Sequence, residues 1–207
     1  MNSATEKFEV AGPQGVLVCA RDVPAGTPKG VALIAHPHPL FGGTMDNKVV
    51  QTIARACVQC GWTAVRFNFR GVGGSAGSYG EGVGEVDDML AVLEQAAPAG
   101  DLVLAGFSFG SAVTSKVFDR VHAQRHVSKL VLVGTAASRF SVATLDAAEH
   151  DKVLVVHGES DDTVPLSAVM DWARPMSLPV TVVPGGGHFF HGQLPLLRNL
   201  VARHLRA

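Results

Sequence analysis

Six short apolar runs, separated by stretches of helical period, constrain this chain more than any other feature. They are GVALIAHPHP from residue 30, WTAVRFNF from 62, DLVLAGF from 101, KLVLVGTA from 129, KVLVVHGE from 152 and PVTVVPG from 179. The runs are rich in β-branched residues and do not alternate strictly between apolar and polar. That texture suits strands covered on both faces, hence a parallel sheet wrapped by helices. Helical periodicity places the covering segments at 46–60, 81–97, 109–120, 165–174 and 193–206. Ahead of them, KFEVAGPQGVLVCARDVP reads as two alternating strands turning near Gly12–Gly15. The expected class is α/β: a mostly parallel central sheet with an N-terminal antiparallel hairpin and helices on both faces. No repeat, low-complexity tract or linker divides the 207 residues, so 1–207 reads as a single domain.

Composition works by exclusion. Lys and Arg number 17 against 18 Asp and Glu, for a net charge of −1, and no basic cluster exists. Nucleic acid and acidic membrane surfaces are therefore poor partners. The apolar runs fall short of the roughly 18 residues that a membrane-spanning helix requires. The start, MNSATEKFEV, lacks the basic-then-apolar layout of a secretory leader, so a reducing cytoplasm is the expected compartment. Cys57-x-x-Cys60 lies in an apolar stretch of helical period. It reads as two buried thiols, and no second Cys/His pair completes a zinc site.

In parallel sheets chemistry gathers where strands end, and the polar residues that stand out sit there. Ser108 lies in Gly106-Phe107-Ser108-Phe109-Gly110, between a strand and a helix. A serine there must adopt a strained turn, and small residues two places to either side keep neighbouring backbone clear of it. A serine hydroxyl needs a base, and the base needs an orienting group. VVHGESDDTVP puts Asp161 and Asp162 just past one strand, and VVPGGGHFFHG puts His188 just past another. The order Ser108, acid, His188 is that of nucleophile-elbow hydrolases. Spacing separates Asp161 from Asp162 poorly. His191, three residues on, is a weaker base candidate because it begins to enter the last helix. His157 lies inside its strand and reads as a neutral, hydrogen-bonded histidine.

A tetrahedral intermediate also needs donors for its oxyanion. One is the backbone N–H after the nucleophile, that of Phe109, at the positive end of a helix. The second belongs to the loop HPHPLFGGTMDNK, where Pro37 and Pro39 carry no N–H. His38, Leu40, Phe41, Gly42 and Gly43 are left as candidates. His36 and His38 lack a third ligand nearby in sequence, so no metal is expected. Gly71-Val72-Gly73-Gly74-Ser75-Ala76 matches a dinucleotide fingerprint, but no acidic residue ends the following strand as that site requires. It reads as a flexible loop bordering the site's mouth, and no cofactor is expected.

These motifs together resemble the α/β-hydrolase superfamily, in particular its small lidless bacterial serine-hydrolase branch. The resemblance rests on HPHPLFGGTMDNK, FNFRGVGGS, GFSFGS, HGESDDTVP and GGGHFF, spread from about residue 30 to 190. Its acid usually takes the fourth place of G-x-x-D-x-x-V-P, which here is Asp161. Its second oxyanion donor usually lies two residues beyond the loop histidine, which implies His38, with Leu40 as the fallback. The chain departs from the pattern at Pro37, where many relatives have glycine. Fewer than twenty residues separate Thr135 from Lys152, too few for a cap domain, so the resemblance implies an open, shallow site. The expected function is hydrolysis of small soluble carboxylic esters through an acyl-enzyme. Thioester hydrolysis by the same residues, or a catalytically weak binding protein on the same fold, are the alternatives. Beyond a small-molecule substrate, the expected partner is at most a second copy in a homodimer.

Overall fold

The computed structural model describes residues 5–207; residues 1–4, which carry part of the leader reading, lie outside it. Eight strands form one sheet: β1 (Glu6–Gly12), β2 (Gly15–Asp22), β3 (Gly30–Ala35), β4 (Thr63–Phe67), β5 (Asp101–Phe107), β6 (Val127–Val133), β7 (Val153–Gly158) and β8 (Val180–Val183). Their spatial order is β1-β2-β4-β3-β5-β6-β7-β8. The first two strands form an antiparallel hairpin that joins β4 antiparallel. All pairings from β4 through β8 are parallel.

Helices α1 (Lys48–Gln59), α2 (Gly84–Ala96), α3 (Phe109–Val121), α4 (Leu166–Ala173) and α5 (Leu194–His204) cover the sheet. The strict alternation missing from the strands is present in how they pack. Leu102 and Leu104 of β5 face α2, α3 and α4, whereas Val103 and Ala105 face α1 and α5. Both faces are apolar because both are covered, and each fully buried Leu or Val contributes about 1.5–3 kcal/mol. The polar stops between runs then become caps. Asn47, for example, accepts the Val49 N–H at 2.9 Å and starts α1.

Two boundaries differ from expectation for a local reason. The second helix begins at Gly84 rather than 81, because Glu81 takes a positive φ of 55°. The Glu85 carboxylate accepts the N–H groups of Gly80 and Gly82 at 2.7 and 2.8 Å, which holds a loop ahead of the helix. The last helix starts at Leu194, leaving His191 in a turn before it. The segment between β6 and β7 contains turns and a short 3₁₀ helix at Ala147–Lys152, with no cap above the sheet. Among the described residues, no helix is long and apolar enough to cross a membrane.

From β3 the chain steps outward to β4 and then returns to the other side of β3 as β5. This reversal opens a crevice at the carboxyl ends of β3 and β5. The loop 36–43 and Ser108 both start there.

Candidate active site

Ser108 stands between β5 and α3 with φ 57° and ψ −116°, a conformation that a non-glycine residue adopts at a cost of about 1–3 kcal/mol. The flanking glycines make the turn sterically feasible. A Cβ on Gly106 would run into the Gly110 carbonyl oxygen, and one on Gly110 would meet the carbonyls of Ala35 and His36. The Ser108 N–H is anchored on the Val133 carbonyl at 2.8 Å. The turn therefore holds the side chain up from the sheet, at the N-terminus of α3.

The structure brings Ser108, His188 and Asp161 into one relay. Ser108 Oγ lies 3.0 Å from His188 Nε2, and His188 Nδ1 lies 2.7 Å from Asp161 Oδ2. An ionised carboxylate only accepts, so His188 Nδ1–H donates to Asp161 and Nε2 is left to accept the serine proton. The other carboxylate oxygen, Oδ1, accepts the N–H groups of Thr163 at 3.0 Å and Val164 at 2.7 Å. Burial pushes the Asp161 carboxyl up, but the hydrogen bonds from His188 and the two amides outweigh it and hold it below the ordinary carboxylate value. Asp162, by contrast, is exposed and, among the described residues, accepts only the neighbouring Thr163 hydroxyl.

The loops carrying His188 and Asp161 are laced together. The Ser160 N–H donates to the Gly186 carbonyl at 2.8 Å, and the Gly185 N–H to Glu159 at 2.8 Å. His157, at the end of β7, braces the acid loop from beneath. Its Nε2–H donates to the Val164 carbonyl at 2.9 Å and lies 3.4 Å from Asp161 Oδ2. Burial holds its imidazole neutral. Its place in the strand reads correctly from sequence as a hydrogen-bonded histidine, but its position beside the acid does not.

His36 braces the opposite wall. Its Nε2 accepts the Phe69 N–H at 3.0 Å, so Nδ1–H donates to the Pro37 carbonyl at 2.6 Å. Both ring nitrogens are thus engaged in shaping the loop after β3. Burial lowers its pKa to about 4, against 6.5 for the free side chain. Between those values the unfolded chain binds a proton that the folded chain refuses. Stability therefore falls as pH drops from about 6.5 to about 4, by up to about 3 kcal/mol from this group. Urea midpoints at pH 7 and 4.5 should show that loss in the wild type and a smaller one in His36→Gln. Equal losses in both proteins would remove His36 as the cause.

The proposed oxyanion donors separate in the structure. Among the described residues no acceptor lies on the N–H of Phe109 or His38, whereas the Leu40 N–H donates to His38 Nδ1 at 3.2 Å. Leu40 points to solvent and does not line the cavity. Burial, aided by Arg139 and opposed by Glu85, lowers the His38 pKa. Its ring packs against Phe41, Tyr79, Phe109 and Phe140 at 4.8–5.6 Å.

Above Ser108 lies a cavity of about 420 Å³, walled by the 37–43 loop, Phe109, the 136–140 turn, Thr163–Val164 and His188–Phe189. The glycine loop at 71–76 contributes none of its lining, contrary to expectation. It is tied instead to β2, where the Ala76 N–H donates to Val16 at 2.7 Å and Ser75 Oγ accepts the Val18 N–H at 2.9 Å. Arg139 and Phe140 lie in the 136–150 loop, where sequence places a specificity-shaping segment but offers neither periodicity nor motif to single out these two residues. Cys57 and Cys60 are both buried, Cys57 on α1 and Cys60 as its C-terminal cap.

A family model described as the alpha/beta hydrolase fold matches residues 40–151. An uncharacterised protein of Rickettsia prowazekii is 32% identical over 191 residues, covering 86% of this chain and 79% of that one. Among solved structures, a Xanthomonas campestris protein described as an a/b serine hydrolase without lid superposes with a TM-score of 0.87. It is 35% identical, over 100% of this chain and 95% of that one. An alpha-beta serine hydrolase homologue from Coxiella burnetii gives a TM-score of 0.82 at 41% identity, covering 97% of each chain.

Proposed function

We propose, from the premise that the chain belongs to the α/β-hydrolase family, that it cleaves small carboxylic esters through an acyl-enzyme on Ser108. The observation that carries this reading is the relay from hydroxyl to imidazole to carboxylate, at 3.0 and 2.7 Å. In the first step His188 Nε2 takes the Ser108 proton as Oγ attacks the carbonyl carbon. The resulting oxyanion is met by the Phe109 N–H and the positive end of α3, with the His38 N–H as the second donor. Losing one such donor typically costs on the order of 10²–10³ in turnover. Asp161 stabilises the imidazolium, which then passes its proton to the departing alkoxide and releases the alcohol. Water enters, His188 deprotonates it, and attack on the acyl-enzyme frees the acid and restores Ser108.

The cavity supports small substrates over long ones. Its volume of about 420 Å³ is toward the lower end of the roughly 300–1,000 Å³ of small-molecule sites, and no cap encloses a tunnel. A fluorophosphonate probe tests the reading directly. One adduct is expected, on the peptide containing Ser108; an unlabelled folded protein, or label on another residue, would overturn it.

A further inference from the structure

We propose that Arg139 makes this site selective for small esters carrying an anionic group, a carboxylate or a phosphate, at the cavity mouth. The inference rests on the hydrolase reading above and names its substrate class. Among the described residues, Arg139 is the one Lys or Arg lining the cavity, and no Asp or Glu joins it there. Its side chain is exposed, and among the described residues no carboxylate lies within ion-pair distance of it and no acceptor takes its guanidinium. The arginines that approach the neighbouring loops are committed elsewhere: Arg70 to Asp88, Arg66 to Asp22 and Asp46, and Arg120 to Asp87. Glu85, the acid whose charge bears on His38, is itself buried and holds two backbone amides.

The backbone under Arg139 is built on the nucleophile itself. The Ala136 N–H donates to the Ser108 carbonyl at 3.3 Å, and the N–H groups of Arg139 and Phe140 donate to the Ala136 carbonyl at 3.1 and 3.0 Å. Phe140 also packs edge-on against Phe109, with ring centroids 4.9 Å apart. The cation thus stands on a turn whose position relative to Ser108 is set by hydrogen bonds. The His38 pKa is lowered chiefly by burial, with the Arg139 charge acting in the same direction and Glu85 against it. The wall also carries a group of aromatic rings: His38, Phe41, Phe109, Phe140 and Phe189. A flat or short apolar group would fill such a cavity, and the lone positive charge at its rim would draw an anion at the substrate's far end. Low-dielectric walls focus that field, and the planar guanidinium can hold a carboxylate or phosphate with two parallel hydrogen bonds.

The test compares matched substrates: mono-(4-nitrophenyl) glutarate against its methyl ester, 4-acetoxybenzoate against its methyl ester, and 4-acetoxyphenyl phosphate against phenyl acetate. In Arg139→Gln the anionic-to-neutral ratio of kcat/KM should fall roughly three- to tenfold relative to wild type. The loss should appear in KM, since the contact is the same in the ground and transition states. Arg139→Lys should keep the part of the preference that charge alone supplies and lose the part that the paired hydrogen bonds supply, and 0.5 M salt should reduce the preference in the wild type but not in Arg139→Gln. The carboxylate and phosphate pairs separate the two anion sources. Equal ratios in wild type and Arg139→Gln for every pair would overturn the proposal while leaving Ser108-dependent hydrolysis intact. Hydrolysis of either class that survives Ser108→Ala would instead overturn the catalytic reading beneath it.

Discussion

Ser108→Ala is expected to lower kcat/KM for 4-nitrophenyl acetate by about 10⁵–10⁶-fold, the scale seen when a triad nucleophile is deleted in a serine hydrolase. The loss is nearly complete because the remaining groups act through the serine. His188 would have no proton to take, and the Phe109 N–H would face no tetrahedral intermediate. Folding should hardly change. Alanine inherits the same strained backbone, with φ 57°, and loses only a hydroxyl whose one side-chain partner is His188. The melting temperature should therefore move by no more than a few degrees, since a net hydrogen bond is worth about 1 kcal/mol. Initial rates corrected for imidazole-like background, with a thermal melt alongside, check both halves. Retention of even a hundredth of the wild-type rate would exclude Ser108 as the nucleophile.

The parts of the site legible in sequence are those whose chemistry demands local spacing. An elbow serine needs small neighbours at two residues on either side, and Gly106 and Gly110 announce it. Strand ends announce themselves because a buried parallel strand is a continuous apolar run that stops abruptly. The order of Ser108, Asp161 and His188 adds long-range information that chance does not easily supply. The choice between Asp161 and Asp162 is different in kind. Both follow β7, and only the turn decides which carboxylate swings under His188. In the structure the Asp161 N–H closes on the Gly158 carbonyl, and its side chain collects the Thr163 and Val164 amides. The cavity wall is the least legible part. Arg139 and Phe140 from one irregular segment meet Phe189 from another there, and no periodicity links them. The glycines at 71–76 mislead for a related reason. A glycine run signals backbone freedom, but here that freedom lets the loop close on β2 rather than open toward substrate.

Asp161→Asn should cost about 10⁴-fold in kcat, the scale of the equivalent amide substitution in serine proteases, while Asp162→Asn stays within twofold of wild type. The size of the first effect follows from where the new amide must point. Thr163 and Val164 N–H groups both converge on Oδ1, so the asparagine oxygen is held there and its NH₂ is turned toward His188. Two donors cannot share one hydrogen bond. His188 must then present an unprotonated Nδ1 to the amide and carry its proton on Nε2, 3.0 Å from Ser108 Oγ. In that tautomer the imidazole cannot accept the serine proton, although every heavy atom remains in place. His157 compounds the mismatch, because its Nε2–H lies 3.4 Å from the same carboxylate oxygen and would face a second donor. Single-turnover rates with a fast-leaving ester separate this tautomer effect from any loss of binding: kcat should fall with KM little changed. If Asp162→Asn gave the large loss and Asp161→Asn did not, the acid would have to be reassigned and the role given to the turn after β7 would fall with it.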